Sequence, residues 1–116
     1  MRQDPKFRTV ITYKNYFEDF FNTQTIRVKE KILWTIELIE DIEIVPTKFL
    51  KCIRNTNGLY EIRVKVGSNI FRIFCFFDNE QLVLLINSFQ KKSQKTPKSQ
   101  INKAIEIKEE YERSKK

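Results

Sequence analysis

Residues 59–74 run Leu59-Tyr60-Glu61-Ile62-Arg63-Val64-Lys65-Val66-Gly67-Ser68-Asn69-Ile70-Phe71-Arg72-Ile73-Phe74, and this stretch decides the fold. Tyr60, Ile62, Val64 and Val66 alternate with Glu61, Arg63 and Lys65, the period of a half-buried strand. Gly67-Ser68 supplies a two-residue turn, and 70–77 reads as the returning strand. In a hairpin closed by that turn, paired residue numbers sum to 135, so Arg63 falls opposite Arg72. Like charges opposed across a sheet are unfavourable unless something anionic lies between them. Glu61, one pair along, or a bound anion meets that need.

A second turn at Asn79-Glu80 extends the meander with pairs summing to 159, which sets Asn87 opposite Arg72 and Phe89 opposite Ile70. The face made by Phe71, Ile73, Cys75 and Phe77 has no polar member. Together with Ile62, Val64, Leu82, Leu84 and Ile86 it forms the expected helix-covered core, and Cys75 reads as a small buried hydrophobe. The other face carries Phe74, Phe76, Val83 and Leu85 beside the two arginines. It too needs a cover, either the last helix or a partner.

Working outward, Val28, Ile32, Ile36, Ile39 and Ile42 recur at steps of four or three, the spacing of one amphipathic helix over 25–42. Thr25 is placed to cap it and Pro46 stops it. Leu33, Trp34 and Leu38 widen the apolar stripe, with Trp34 divided between core and partner surface. Before this helix, 7–14 reads as a β-strand and 18–21 as a short helical turn. After Phe89 comes a Lys-rich corner, then Thr96-Pro97, read as cap and first turn of a helix running to about 112. The free N–H groups at its start add to the attraction for anions.

The 116 residues suit a single α+β domain, with 41% apolar residues and ten Phe to fill a core. Charge is divided unevenly. Residues 1–46 hold 7 Lys or Arg against 8 Asp or Glu, whereas 47–116 hold 15 against 7. Lys91, Lys92, Lys95, Lys98 and Lys103 meet no acid between 87 and 103, a pattern that suits an anionic partner. Cys52 and Cys75 lack metal-ligand spacing, and the polar start resembles no secretion signal, so a reducing cytoplasm is expected. No apolar run approaches the roughly 20 residues of a membrane span. The chain has no His, which excludes Ser-His-Asp, Cys-His and His-zinc sites and leaves Lys, Arg, Tyr or carboxylates for proton transfer.

Leu59-Tyr60-Glu61-Ile62-Arg63, then Asn69-Ile70-Phe71-Arg72-Ile73-Phe74, then Phe89 with Lys91, Lys92, Lys95, Thr96 and Pro97 resemble the signature run of the phage-derived, HigB-like branch of the RelE/ParE toxin superfamily. Lys31-Ile32-Leu33 and Lys48-Phe49-Leu50-Lys51 resemble its upstream pattern. The likeness is densest over 48–113. It implies an α+β toxin with amino-terminal helices on an antiparallel-rich sheet and a carboxy-terminal helix. It also implies mRNA cleavage at the ribosome and inhibition by a cognate antitoxin, often a helix-turn-helix protein. Matching the motifs assigns the family's basic site to Arg63, Arg72, Lys91, Lys92 and Lys95, with Glu61 nearby. Relatives often carry His-Gly where this chain has Asn87-Ser88.

The reading is thus a type II toxin, a ribosome-dependent mRNA endonuclease using no cofactor and no metal, with mRNA and ribosome as partners and no membrane. Arg63 and Arg72 clamp phosphate and stabilise charge, Lys91 or Lys92 transfers a proton, and Glu61 is a second candidate base. Lys95, Lys98, Phe89, Asn87 and Lys65 are the expected RNA contacts, Phe89 by stacking. Two alternatives stay open: a non-enzymatic toxin binding a protein such as DNA gyrase, and a phage-derived nucleic-acid-binding accessory protein.

Overall fold

The structure, a computed structural model, describes residues 6–91 and 96–115, with 87–91 described through their backbone. In chain order the elements are β1 (Thr9–Thr12), α1 (Tyr16–Asn22), α2 (Ile26–Asp41), β2 (Leu50–Cys52), β3 (Leu59–Val66), β4 (Asn69–Asp78), β5 (Gln81–Lys91) and α3 (Lys98–Ser114). The strands form one sheet in the order β1-β5-β4-β3-β2, antiparallel except where β1 runs parallel to β5. This is the expected α+β architecture.

Two layers of apolar side chains sandwich the sheet. On one face Val28, Ile32 and Ile39 of α2 and Phe17 and Phe20 of α1 pack on Ile62, Val64, Phe71, Ile73, Cys75, Leu82 and Leu84. Burial pushes the Cys75 thiol far above its usual value, with the Glu61 charge adding to the effect, so it behaves as the small hydrophobe expected. On the other face Ala104 and Ile107 of α3 cover Leu59, Phe74, Phe76, Val83 and Leu85. The last helix is therefore the cover that the second apolar face demanded. Phe77 departs from the expected core: it is 37% exposed and meets Tyr60 edge-on near the end of the ladder.

The β3–β4 register is the one the turn dictates, Arg63 opposite Arg72, with Gly67 at a φ of 63° that a glycine adopts without strain. The β4–β5 register begins as expected, with Asp78 opposite Gln81 and Cys75 opposite Leu84. It then slips. Ile73 pairs with Asn87, so Leu85 and Ile86 together face Phe74 across a β-bulge. Ile86 consequently packs in the α3-side cluster and not under α2 as expected. The same slip sets Ser88, and not Asn87, opposite Arg72, and a second slip sets Lys91, and not Phe89, opposite Ile70.

The helix ends have local causes. Thr25 caps α2 by accepting a hydrogen bond from the Val28 N–H. At the far end the Arg8 guanidinium donates to the carbonyls of Ile42 (2.9 Å) and Glu43 (2.7 Å), close to where α2 stops. The Val10 N–H donates to the buried carboxylate of Glu40, which ties β1 to α2.

Two carboxylates fasten α3. Asp78 accepts from Tyr111 (2.7 Å) and Lys115 (2.6 Å), and Glu110 accepts from Tyr13 (2.9 Å) and pairs with Lys14 (3.0 Å). The Lys115 and Tyr111 donors hold Asp78 below the usual carboxylate range, and Lys14 and Tyr13 do the same for Glu110. A lowered folded-state value means this contribution is full above the ordinary carboxylate range and is lost as pH falls through the lowered values. We expect the thermal midpoint to drop between about pH 5 and pH 2. In the D78N/E110Q variant the midpoint should start lower at pH 6 and fall less across that window. Equal slopes for the two proteins would remove these carboxylates as the α3 fastening.

Candidate functional site

Alternation along β3 puts Glu61 and Arg63 on the face that α3 covers, and the register across β4 adds Arg72 beside them. Lys51 on β2 pairs in register with Glu61 from the other side. The Glu61 Oε2 lies 3.5 Å from Nε of Arg63 and 3.5 Å from Nε of Arg72. These are charge contacts, looser than a well-formed N–H···O bond. One carboxylate therefore relieves the repulsion that opposed arginines create, which is the local reason the pair is tolerated.

The Thr96 hydroxyl donates to the other carboxylate oxygen, Oε1, at 3.1 Å. Thr96 was expected to cap the last helix. Pro97 stands at the cap position instead, with no side-chain hydrogen bond, and the Thr96 hydroxyl reaches across to β3. A charged acceptor makes a stronger hydrogen bond than a neutral one, so the carboxylate is the better partner.

Exposure divides the trio. Arg72 is 1% exposed and Glu61 6%, while the Arg63 side chain keeps 26% of its surface open. Arg63 lines a cleft of ≈ 290 Å³ with Lys51, Arg54, Glu61, Thr96 and Ile101. The cleft is cationic: Lys51, Arg54 and Arg63 outnumber Glu61. Lys51, Arg54 and Thr96 were not among the expected site residues. The β2–β3 pairing that brings Lys51 to Glu61 follows a loop through Asn55 and Gly58, both at positive φ, whose geometry a plain turn signal does not specify.

The other expected residues are distributed around this centre. Lys65 is exposed on β3, two positions from Arg63, and Lys98 is exposed at the start of α3. Asn87, Phe89 and Lys91 lie on β5, whose backbone pairs with the Arg72 strand. Lys92 and Lys95 lie outside the described residues. Among the described residues, no group of three or more His, Cys, Asp or Glu side chains is placed to hold a metal ion. Among the same residues, no helix is long and apolar enough to cross a membrane.

The sequence matches the family model described as phage derived protein Gp49-like (DUF891) over residues 19–109, more than half of the chain. The chain belongs to this Gp49-like family. No curated protein is significantly similar to it in sequence. Among solved structures, the Gp49-like chain is similar to a mutant of the E. coli toxin RelE in the free state, with a TM-score of 0.53 and 7% identity, covering 70% of this chain and 81% of that one. It is also similar to a chain of the archaeal RelE-RelB complex from Pyrococcus horikoshii OT3, with a TM-score of 0.52 and 15% identity, covering 77% and 99%. At these identities the likeness is one of fold. The Gp49-like chain has a RelE-like α+β fold, and its match to the family model spans both β3 and β4, the strands that carry Glu61, Arg63 and Arg72.

Proposed function

We propose that this Gp49-like chain is the toxin of a type II toxin–antitoxin pair, a HigB-like ribosome-dependent endonuclease that cuts mRNA and stops translation. The observation that carries the reading is the buried Glu61 carboxylate set between two cross-strand arginines on the wall of a cationic cleft. The RelE-like fold supports it.

In this reading the 2′-OH of one nucleotide attacks its own 3′-phosphate. A bond forms from the 2′ oxygen to phosphorus, the bond to the next nucleotide's 5′ oxygen breaks, and the upstream fragment is left with a cyclic phosphate. The 2′-OH proton passes to a base, and a proton reaches the departing 5′ oxygen. Arg63, the more open guanidinium, donates to the phosphate oxygens as charge builds on them. Arg72 is a positioning residue: its buried charge holds Glu61, and Glu61 orients Arg63. Lys91 or Lys92 supplies one proton transfer, and Glu61 is the second candidate. No step calls on a metal.

Purified protein added to translating ribosomes should leave mRNA ends within the A site bearing cyclic phosphate, in EDTA as well as without it, and cut naked RNA poorly. Growth arrest with DNA damage signalling and intact messages would instead indicate a protein target such as DNA gyrase. Tight nucleic-acid binding without growth arrest would indicate an accessory binding protein. A neighbouring small open reading frame should encode the antitoxin, expected to be a helix-turn-helix protein that masks the basic face. Its co-expression with a tagged copy of this chain should yield a stable complex and restore growth; failure of every neighbouring product to bind would count against a paired system.

A further inference from the structure

The cleft does not end at Arg63. β2 spans only Leu50–Cys52 and pairs with Ile62, Glu61 and Tyr60, so β3 runs on past Arg63 beyond the end of its neighbour. α2 leans over this free flank. Between them lie two adjoining hollows, of ≈ 490 Å³ and ≈ 470 Å³, which share Lys31, Trp34, Lys65 and Gly67. The first also has Lys48, Phe49 and Arg63 in its wall, and the second reaches Arg27. Arg63 thus faces both the cleft and this groove.

The groove is charged and aromatic together. Arg27, Lys31, Lys48, Arg63 and Lys65 stand against one acid, Glu30. Among the described residues none of Arg27, Lys31, Lys48 or Lys65 has a carboxylate partner. Lys31 and Lys48 instead hold their ammonium groups over aromatic rings, at 4.5 Å from the Trp34 centroid and 5.0 Å from that of Phe49. The two rings meet edge-on at 5.8 Å, and Trp34 is 48% exposed. Core packing gives no reason for cations and a half-open indole to converge on one furrow. A polyanion carrying flat apolar groups gives one: phosphates for the ammonium groups and nucleobases for the rings.

We propose that the groove between α2 and the free flank of β3 is a single-stranded RNA channel, continuing from the cleft through Arg63. Phosphates lie along Lys48, Lys65 and Lys31, and a nucleobase rests against Trp34. The proposal builds on the reading of the cleft as an RNA site, and the continuity at Arg63 is what favours RNA over an acidic polypeptide.

Trp34 is the chain's one tryptophan, so its fluorescence reports on the groove alone. Titration of the full chain with an uncleavable 2′-O-methyl oligoribonucleotide should quench that emission saturably. The K31A/K65A variant should bind roughly tenfold more weakly, and the slope of log affinity against log salt should shrink by about 1.4, or about 0.7 for each phosphate released. Lys29 sits on the same helix but over Phe21, away from the groove, and K29A should match wild type. No quenching, or equal affinity in K31A/K65A, overturns the channel. Equal quenching by an oligoglutamate peptide also overturns it and makes the groove a dock for acidic polypeptide. Ribosomal cleavage without Trp34 quenching would sink the channel and leave the endonuclease reading. Saturable, lysine-dependent quenching without cleavage would do the reverse.

Discussion

Replacing Arg63 and Arg72 together with alanine is expected to lower ribosome-linked mRNA cleavage by at least about 100-fold, equivalent to about 3 kcal/mol of lost transition-state stabilisation. The size follows from two effects on the same phosphate. Arg63, open to the cleft, loses its donors, and without Arg72 the Glu61 carboxylate no longer has the buried charge that sets its position. Single variants separate the roles. R63A should lose most of the activity. R72K keeps the charge but not the planar donor fork, so it should recover part of what R72A loses. Mapped mRNA ends from wild type and variants of matched melting temperature provide the measurement. Undiminished cutting by a folded double variant would remove both arginines from the mechanism.

Glu61→Ala should be the most destabilising change at the site, at about 3 kcal/mol, read as a fall in the thermal midpoint of roughly 15 °C. The carboxylate is 6% exposed and lies 3.5 Å from both guanidiniums, one of which is 1% exposed. Its removal leaves two positive groups facing each other across adjacent strands, and it takes away the acceptor for Thr96. Replacing both Glu61 and Arg72 by leucine and methionine should cost much less than E61A alone, because no strong mutual charge then remains to be compensated. An E61A protein that melts within a degree or two of wild type would show that the carboxylate does not hold the pair.

The part of the site that the sequence makes legible is the part governed by a short turn. Gly67-Ser68 leaves one register for β3 and β4, so opposed arginines follow from counting. Beyond Cys75 the same counting first fails by one position, because Leu82, Val83, Leu84, Leu85 and Ile86 are all apolar and an extra residue among them disturbs no pattern. Both faces of this sheet are covered, which is why the apolar run carries no phase information. Thr96 departs from the expected cap for a different reason. Its Thr-Pro context favours a helix start, but its hydroxyl found an ionised acceptor 35 residues away. Trp34 sits on the apolar stripe of α2 yet is half exposed, since β2 ends too soon to extend the sheet beneath it.

The parallel contact between β1 and β5 sets the order in which the chain can assemble. Thr9 meets Gln81, a separation of 81 − 9 = 72 positions, whereas the β3–β4 and β4–β5 hairpins each close across two-residue turns. Bringing distant segments together costs more chain entropy than closing a hairpin, so the hairpins supply the nucleus and β1 joins afterwards. During synthesis the first strand must wait, unpaired, until most of the chain has been made. A chevron recorded for Val10→Ala should carry its change in the unfolding limb, with the folding rate nearly unaltered; a slowed folding limb would place β1 in the nucleus. The charge cluster on β3 and β4 is therefore among the first parts of the molecule to take shape, before the strand that closes the sheet has found its place.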